Sequence, residues 1–275
     1  MSFDEQLSEG QALLKQGRLA EALTLFREAA ALKPDSFKFN LHLAGVCLRT
    51  GPLDLALNTV PSLFHGGLPY PQVLEIMNLA FNAARIALTL RPRSPEARLA
   101  YGLVLLLGDR WKEAEDIFRP LAEEKPELAV HHFRLAQVVA RQGRLKEAAD
   151  LMRTALQLEP RNDDFNFELA DILRKGGRTE EARALLNTAL AAGAGRRCAE
   201  GLGLLELTQC RWPEAEKIFR DLVRDYPEKP QYMCALAKAL AWQQNFTESQ
   251  ILAREGLALL YRQTYPGRCG PSAVD

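Results

Sequence analysis

The feature that most constrains this chain is a six-residue pattern that returns at a nearly fixed interval. Gly17-Arg18-Leu19-Ala20-Glu21-Ala22, Gly143-Arg144-Leu145-Lys146-Glu147-Ala148 and Gly177-Arg178-Thr179-Glu180-Glu181-Ala182 share one form, and Asp109-Arg110-Trp111-Lys112-Glu113-Ala114 and Cys210-Arg211-Trp212-Pro213-Glu214-Ala215 fill the same place. The closing alanines Ala114, Ala148, Ala182 and Ala215 stand 34, 34 and 33 residues apart, and 34 more reaches Ser249. Such a period is the mark of a repeat array, in which each unit buries its apolar face against its neighbours.

Each period reads as two helices. Phe133, Leu135, Ala136 and Val139 fall at helical spacing before the six-residue pattern, and Ala148, Met152, Ala155 and Leu156 form a second stripe behind it. Pro34, Pro126, Pro160 and Pro227 follow the second helix, where a missing N–H and a locked φ prevent continuation. Start signals agree: Ser94 precedes Pro95, Asn162 precedes Asp163, and Thr247 with Gln250 has capping-box spacing. Ala44, Gly102, Ala136, Ala170, Gly203 and Ala237 occupy one place in the first helix. They are expected to face the alanine of the second helix, so that two backbones approach to the short end of the roughly 8–10 Å range.

Composition fits a packed, neutral chain. With 47% hydrophobic and 25% charged residues in 275, a sizeable core is available and disorder is excluded as a class. Thirty-five basic residues against 35 acidic ones leave no overall field to gather nucleic acid or an anionic membrane. No apolar run nears the roughly 18 residues of a membrane span, and Met1-Ser2-Phe3-Asp4-Glu5 is acidic where a signal peptide would be basic. The expectation is a cytoplasmic protein without membrane insertion. Five cysteines, an odd number with no Cys-x-x-Cys, argue against a disulfide framework or a zinc site.

These residues resemble the tetratricopeptide repeat, whose 34-residue unit carries small residues in slots 8 and 20, a large apolar residue in slot 24, alanine in slot 27 and proline in slot 32. Ala136, Ala148, Met152, Ala155 and Pro160 take those five slots in the best-matching unit, and Phe26, Phe118 and Phe219 take slot 24 in others. Seven units are identified, near residues 3–36, 37–70, 95–128, 129–162, 163–195, 196–229 and 230–263. The domain reading is therefore 1–70 for two units, the second degenerate at Pro52 and Pro61; 71–94 for an inserted helix; 95–263 for five units; and 264–275 for a flexible tail. Gly193 to Arg197, where the fifth unit runs one residue short, reads as a hinge. The resemblance implies an all-α, right-handed superhelical solenoid of antiparallel helix pairs. The short Gly-Arg-Leu-Glu-Ala-rich units resemble bacterial members.

No catalytic constellation stands out. The four histidines form no metal motif; in the pair His131-His132 the second is expected in a packing place and the first in solvent. There is no Gly-x-Ser-x-Gly elbow and no phosphate-binding Gly-Lys-Ser/Thr, so the expectation is a non-enzyme with no cofactor and no metal. Arg196-Arg197 reads as a solvated loop.

The resemblance also implies where a ligand would lie, since slots 2, 5, 6, 9, 12 and 13 of the first helix line the family's concave face. Those slots hold Leu99, Leu103 and Leu106 in the third unit, Phe133, Arg134, Gln137 and Arg141 in the fourth, Phe167, Glu168, Asp171 and Arg174 in the fifth, and Lys238 in the seventh. The leucine stripe is expected either to be covered by the helix at 71–91 or to receive a partner. The subtype that grips a chaperone's C-terminal carboxylate is excluded, because Asp171 would repel it and no asparagine stands in slot 6.

The function expected is a scaffold or adaptor that binds a protein or peptide in the concave groove, with self-association through the apolar side of the last unit (Ile251, Leu252, Leu257, Leu259, Leu260) as a further interaction. Two other classes stay open: a regulatory or assembly subunit of a separate enzyme such as a glycosyl- or sulfotransferase, and a helical-repeat RNA reader, which the neutral charge disfavours.

Overall fold

The computed structural model describes residues 2–15, 18–32, 34–48 and 71–264. Pro52, Pro61, His65 and the tail from 265 lie outside the described residues. Every element found is helical. The helices are α1 Phe3–Lys15, α2 Leu19–Leu32, α3 Phe37–Leu48, α4 Pro71–Leu90, α5 Pro95–Leu107, α6 Trp111–Glu124 and α7 Ala129–Arg141. They continue with α8 Leu145–Leu158, α9 Asp163–Lys175, α10 Thr179–Ala191, α11 Arg196–Thr208, α12 Trp212–Asp225, α13 Pro230–Trp242 and α14 Phe246–Thr264. There is no strand among the described residues, so the chain is an all-α array of paired helices. It divides into two compact units, Met1–Lys125 with α1 to α6 and Pro126–Asp275 with α7 to α14.

The start signals work largely as expected. Ser94 Oγ accepts from Ala97 N at 3.2 Å, and Asn162 Oδ1 accepts from Asp164 N at 3.1 Å and Phe165 N at 3.2 Å. Thr247 is the exception, because α14 already begins at Phe246 and Asn245 donates to Glu248 at 2.8 Å instead.

What closes each pair is a steric fit. Ala22, Ala114, Ala148, Ala182 and Ala215 are completely buried. In the last pair Ser249 stands in that slot, and its hydroxyl donates to the Ala237 carbonyl at 2.7 Å, which sets slot 20 against slot 8. The side-chain space of slot 8 belongs to slot 24, a contact the alanine-facing expectation did not include. A Cβ on Gly102 would lie 2.6 Å from Phe118 Cζ, one on Gly203 would lie 2.9 Å from the Phe219 ring, and Gly10 meets Phe26 in the same way. Where slot 8 holds alanine, slot 24 holds a slimmer side chain: Met152 opposite Ala136 and Leu186 opposite Ala170. In these pairs the two slots exchange volume, as a close-packed interior requires, whereas the last pair holds alanine in both, Ala237 and Ala253.

The turn between paired helices has its own rule. Slot 15 is left-handed at Asp109 (φ 55°), Gly143 (83°), Gly177 (76°), Cys210 (57°) and Gln244 (65°). A left-handed L-residue costs about 1–2 kcal/mol, which explains why glycine opens the six-residue pattern most often.

The surroundings of His131 correct an expectation: both His131 and His132 are buried. His132 Nε2 lies 2.9 Å from the Pro126 carbonyl, and Asn40 and Asn166, in the same slot of other units, donate to the Pro34 and Asn162 carbonyls at 2.7 and 3.0 Å. These buried polar groups fasten the loop that enters each first helix, as buried carbonyls demand.

The helix at 71–90 takes a place other than that of an insert between complete pairs. Arg91, just past its end, lies 4.3 Å over the Phe37 ring at the start of α3, so α4 runs antiparallel to α3 as a second helix does. Arg27 on α2 pairs with Glu75 on α4 at 3.0 Å. The same register joins successive second helices through Arg153–Glu181 at 2.8 Å and Arg220–Glu248 at 2.7 Å. Phe81 meets Tyr101 of α5 at 5.5 Å between ring centroids, and helical geometry puts Tyr101 opposite Leu99, Leu103 and Leu106. The helix therefore packs on the far side of the leucine stripe and does not cover it. The expected hinge is tied down as well: Gly195 N donates to Asp163 Oδ1 at 2.8 Å, and Arg197 donates to Asp164 at 3.0 Å.

Gly102→Ala should destabilise the protein by about 1–3 kcal/mol through overpacking against Phe118. Adding Phe118→Leu should recover part of that loss. Denaturant unfolding of both single variants and the double variant measures it, and strictly additive losses would contradict the volume exchange.

Candidate functional site on the first helices

Within Pro126–Asp275 the first helices α7, α9, α11 and α13 carry a connected row of polar and aromatic side chains. Arg134 Nη1 donates to Gln137 at 2.9 Å, and Gln137 Nε2 crosses from α7 to donate to Glu168 on α9 at 3.1 Å. Beside Glu168, Phe167 carries the Arg197 guanidinium of α11 at 3.8 Å from its ring centroid. Arg197 also reaches Glu200 at 3.2 Å, and Glu200 accepts from the Tyr232 hydroxyl of α13 at 3.1 Å. Each link joins one first helix to the next or braces such a link. The slots named by the sequence are thus brought together in Arg134, Gln137, Phe167 and Glu168. Arg197, Glu200 and Tyr232 were missed, and Arg197 is a half-buried bridge rather than the solvated loop residue expected.

Electrostatics differ along the row. Burial pushes the Arg134 guanidinium below its usual value, and the Glu168 and Asp164 carboxylates offset this only in part. Its Nε has no hydrogen-bond partner among the described residues, while its plane lies 4.9 Å from the Phe133 ring. Burial likewise raises the Glu168 carboxyl, against the Gln137 hydrogen bond that favours the charged form. Asp171 behaves in the opposite way. Burial would raise it, but Lys175 and Arg174, each at 2.6 Å, hold it below the ordinary carboxylate range.

The remaining sequence-derived positions separate by environment. Phe133 is buried, Arg141 and Lys238 are exposed, and no ion pair involves either of the last two among the described residues. Leu99, Leu103 and Leu106 lie half-buried on α5 in the other compact unit. Between α9, α10 and α11 a cleft of about 20 Å³ is lined by Phe167, Asp171, Arg174, Leu186, Gly201 and Leu204. That volume holds about one water-sized group, far below the roughly 300–1,000 Å³ of ordinary small-molecule sites. No group of three metal-binding side chains occurs among the described residues, and no described helix is long and apolar enough to cross a membrane. Cys198, Cys210 and Cys234 are free thiols.

Paired helices repeating at 34 residues, with the small-residue slots packed as described, define a class of helical-repeat scaffolds. Comparison with known proteins gives the family. Tetratricopeptide repeat models match residues 7–60, 79–129 and 139–207, and the chain belongs to the tetratricopeptide repeat family, whose members serve broadly as protein–protein interaction scaffolds. No curated protein matches the sequence. Among solved structures it is similar to TTC0263, a thermophilic TPR protein of Thermus thermophilus, at 20% identity over 61% of this chain and 92% of that one, with a TM-score of 0.55. It is also similar to pilF of Pseudomonas aeruginosa at 21% identity over 84% of this chain and 94% of that one, with a TM-score of 0.52. Both likenesses concern the fold.

Because the folded protein raises the Glu168 carboxyl, it binds more protons there than the unfolded chain does, and stability falls as pH rises through the window above about 4.3. Glu168→Gln removes that cost. Its thermal midpoint should match the wild type below the carboxylate range and exceed it at pH 7; an advantage that is independent of pH would contradict the assignment.

Proposed function

We propose that the chain is a non-catalytic scaffold that binds an extended peptide or a protein surface along the first-helix face of Pro126–Asp275, and that it works in the cytoplasm. The row from Arg134 through Glu168 and Arg197 to Tyr232 is the observation that carries this reading. It offers aromatic faces and hydrogen-bonding groups at helix-to-helix intervals, whereas the cleft beside it is too small for an ordinary metabolite. Charge-assisted bonds to such a row supply specificity, and apolar contacts at Phe167 and Leu204 supply affinity. The thiols of Cys198, Cys210 and Cys234 suit a reducing compartment. Leu99, Leu103 and Leu106 are offered as a second, apolar contact on the other unit.

The reading predicts that proteins captured by the immobilised full chain are lost, or held at least tenfold more weakly, by Arg134→Glu and by Asp171→Lys, with thermal midpoints checked in parallel. Capture unchanged by both folded variants would remove this face from consideration.

Self-association through the last pair is a separate part of the proposal, supported by Ile251 and Leu257, which are 53% and 60% exposed on α14. Light scattering over a hundredfold concentration range should show mass rising for the wild type and not for Ile251→Glu with Leu257→Glu. A monomer at every concentration would refute it.

A further inference from the structure

Within the array, one pair holds the next through the same slots each time. An arginine in slot 25 reaches the carboxylate in slot 19 of the following pair, as Arg153–Glu181 at 2.8 Å and Arg220–Glu248 at 2.7 Å show. Slots 17 and 28 supply the apolar part. Trp212 and Val223 are half-buried against the cluster that holds Tyr232, Leu236 and Leu240, and Trp212 stacks on Trp242 at 5.3 Å. Slot 9 reaches slot 6, as Gln137 does in donating to Glu168 at 3.1 Å.

The last pair, α13–α14, repeats this set and leaves its members exposed. Phe246 fills slot 17 and Leu257 slot 28, at 59% and 60% exposure. Arg254 fills slot 25 and Lys238 slot 9; both are exposed, and neither has an ion pair among the described residues. The first pair, α1–α2, is the converse. Glu21 fills slot 19 and accepts from Arg18 at 2.7 Å, as Glu181 accepts from Arg178. The second arginine, which Glu181 takes from the preceding pair, has no counterpart at Glu21 among the described residues. Slot 6 holds Ser8, and Glu5 and Glu9 stand exposed beside it in slots 3 and 7, where α13 buries Tyr232 and Leu236. These carboxylates make a polar terminal face, which suits a covering surface that brings cations with its apolar groups.

We infer that copies of this chain join head to tail, with α13–α14 of one stacked on α1–α2 of the next. Arg254 then meets the Glu21 carboxylate of the second copy, and Lys238 lies between its Glu5 and Glu9. The inference rests on the self-association reading and names the surface that the second copy offers. Phe246 and Leu257 leave water in this contact, and the ion pairs set its register. A two-fold contact of α14 on α14 would instead oppose a face bearing Arg254 and Lys238 to another of the same sign. Because the two joined surfaces differ, every addition leaves one of each kind free, and growth does not stop at two copies.

Light scattering and sedimentation of the full chain test this. Mass should rise past that of a dimer with concentration, and fall when salt is raised from about 50 mM to about 1 M, where the screening length drops to roughly 3 Å. Arg254→Glu and Glu21→Arg should each weaken association by about tenfold or more. Lys217→Glu, the same change of charge on an exposed side chain of α12, should leave it unchanged. The double variant, and an equal mixture of the two single variants, should associate as the wild type does, because opposite charges then face each other again. That recovery separates a broken contact from a damaged fold. Association indifferent to Glu21→Arg, or losses that neither the mixture nor the double variant repairs, would overturn the inference while leaving self-association through the last pair standing. Mass that stops at a dimer would overturn it in favour of a two-fold contact. A monomer at every concentration would overturn the self-association reading and the inference together.

Discussion

The contact on which the array depends is the meeting of an absent side chain with a ring. Gly102 opposite Phe118 and Gly203 opposite Phe219 bring a first-helix backbone directly onto an aromatic face. Burying such a ring is worth about 1.5–3 kcal/mol, and the fit fixes how far the paired helices slide along each other. Everything outward follows from that register. It sets slot 20 against slot 8, as the Ser249 hydroxyl on the Ala237 carbonyl shows, and it leaves slots 5, 6 and 9 of the first helix pointing away from the pair. The candidate site is therefore the remainder of a packing solution.

Neighbouring pairs within each compact unit are joined by charged groups as well as by rings such as Phe133 on Phe165 at 4.7 Å and Trp212 on Trp242 at 5.3 Å. Arg153–Glu181 and Arg220–Glu248 link second helices at the surface, where such pairs contribute about 0–1 kcal/mol each. The junction of α10 with α11 is different. Asn187 occupies the slot where Arg153 and Arg220 stand, and Arg183 instead holds the buried Glu206 at 2.7 Å. Breaking a buried pair of that kind by removing one partner costs about 3–5 kcal/mol. The Asp163 clamp on Gly195 lies at the same junction, so the unit that is one residue short is fastened there by two further contacts.

Much of this was legible in the sequence, because the determinants are local and repeat. Alanine at slot 20, proline after the second helix and capping at Ser94 and Asn162 need only spacing to be recognised. The role of α4 was not legible: its partner α3 lies more than 20 residues upstream, and a search for a 34-residue interval discards a pair whose helices are that far apart. Arg91 over the Phe37 ring and the Arg27–Glu75 register identify it. The polar row was half legible. Slot numbers found Arg134, Gln137, Phe167 and Glu168, and slots 2 and 5 of the sixth unit hold Arg197 and Glu200 too, but whether an arginine is solvated or stacked depends on the neighbouring helix. Arg197 next to Arg196 therefore looked like a loop charge until Phe167 was placed beneath it. His131 was misjudged for the same reason, since its burial comes from surrounding elements and not from its own helix.

The arginine-to-glutamate links reach from one second helix only to the next. Cooperativity in such a chain is short-ranged, so an opening at one end need not be felt several pairs away. Among the described residues of Pro126–Asp275 the α13–α14 pair packs on a neighbouring pair on one side, and its amides should exchange with deuterium sooner than those of α9 and α10. A ligand spread across α7, α9 and α11 would then act as a splint, lengthening the distance over which the helices lose or keep their order together.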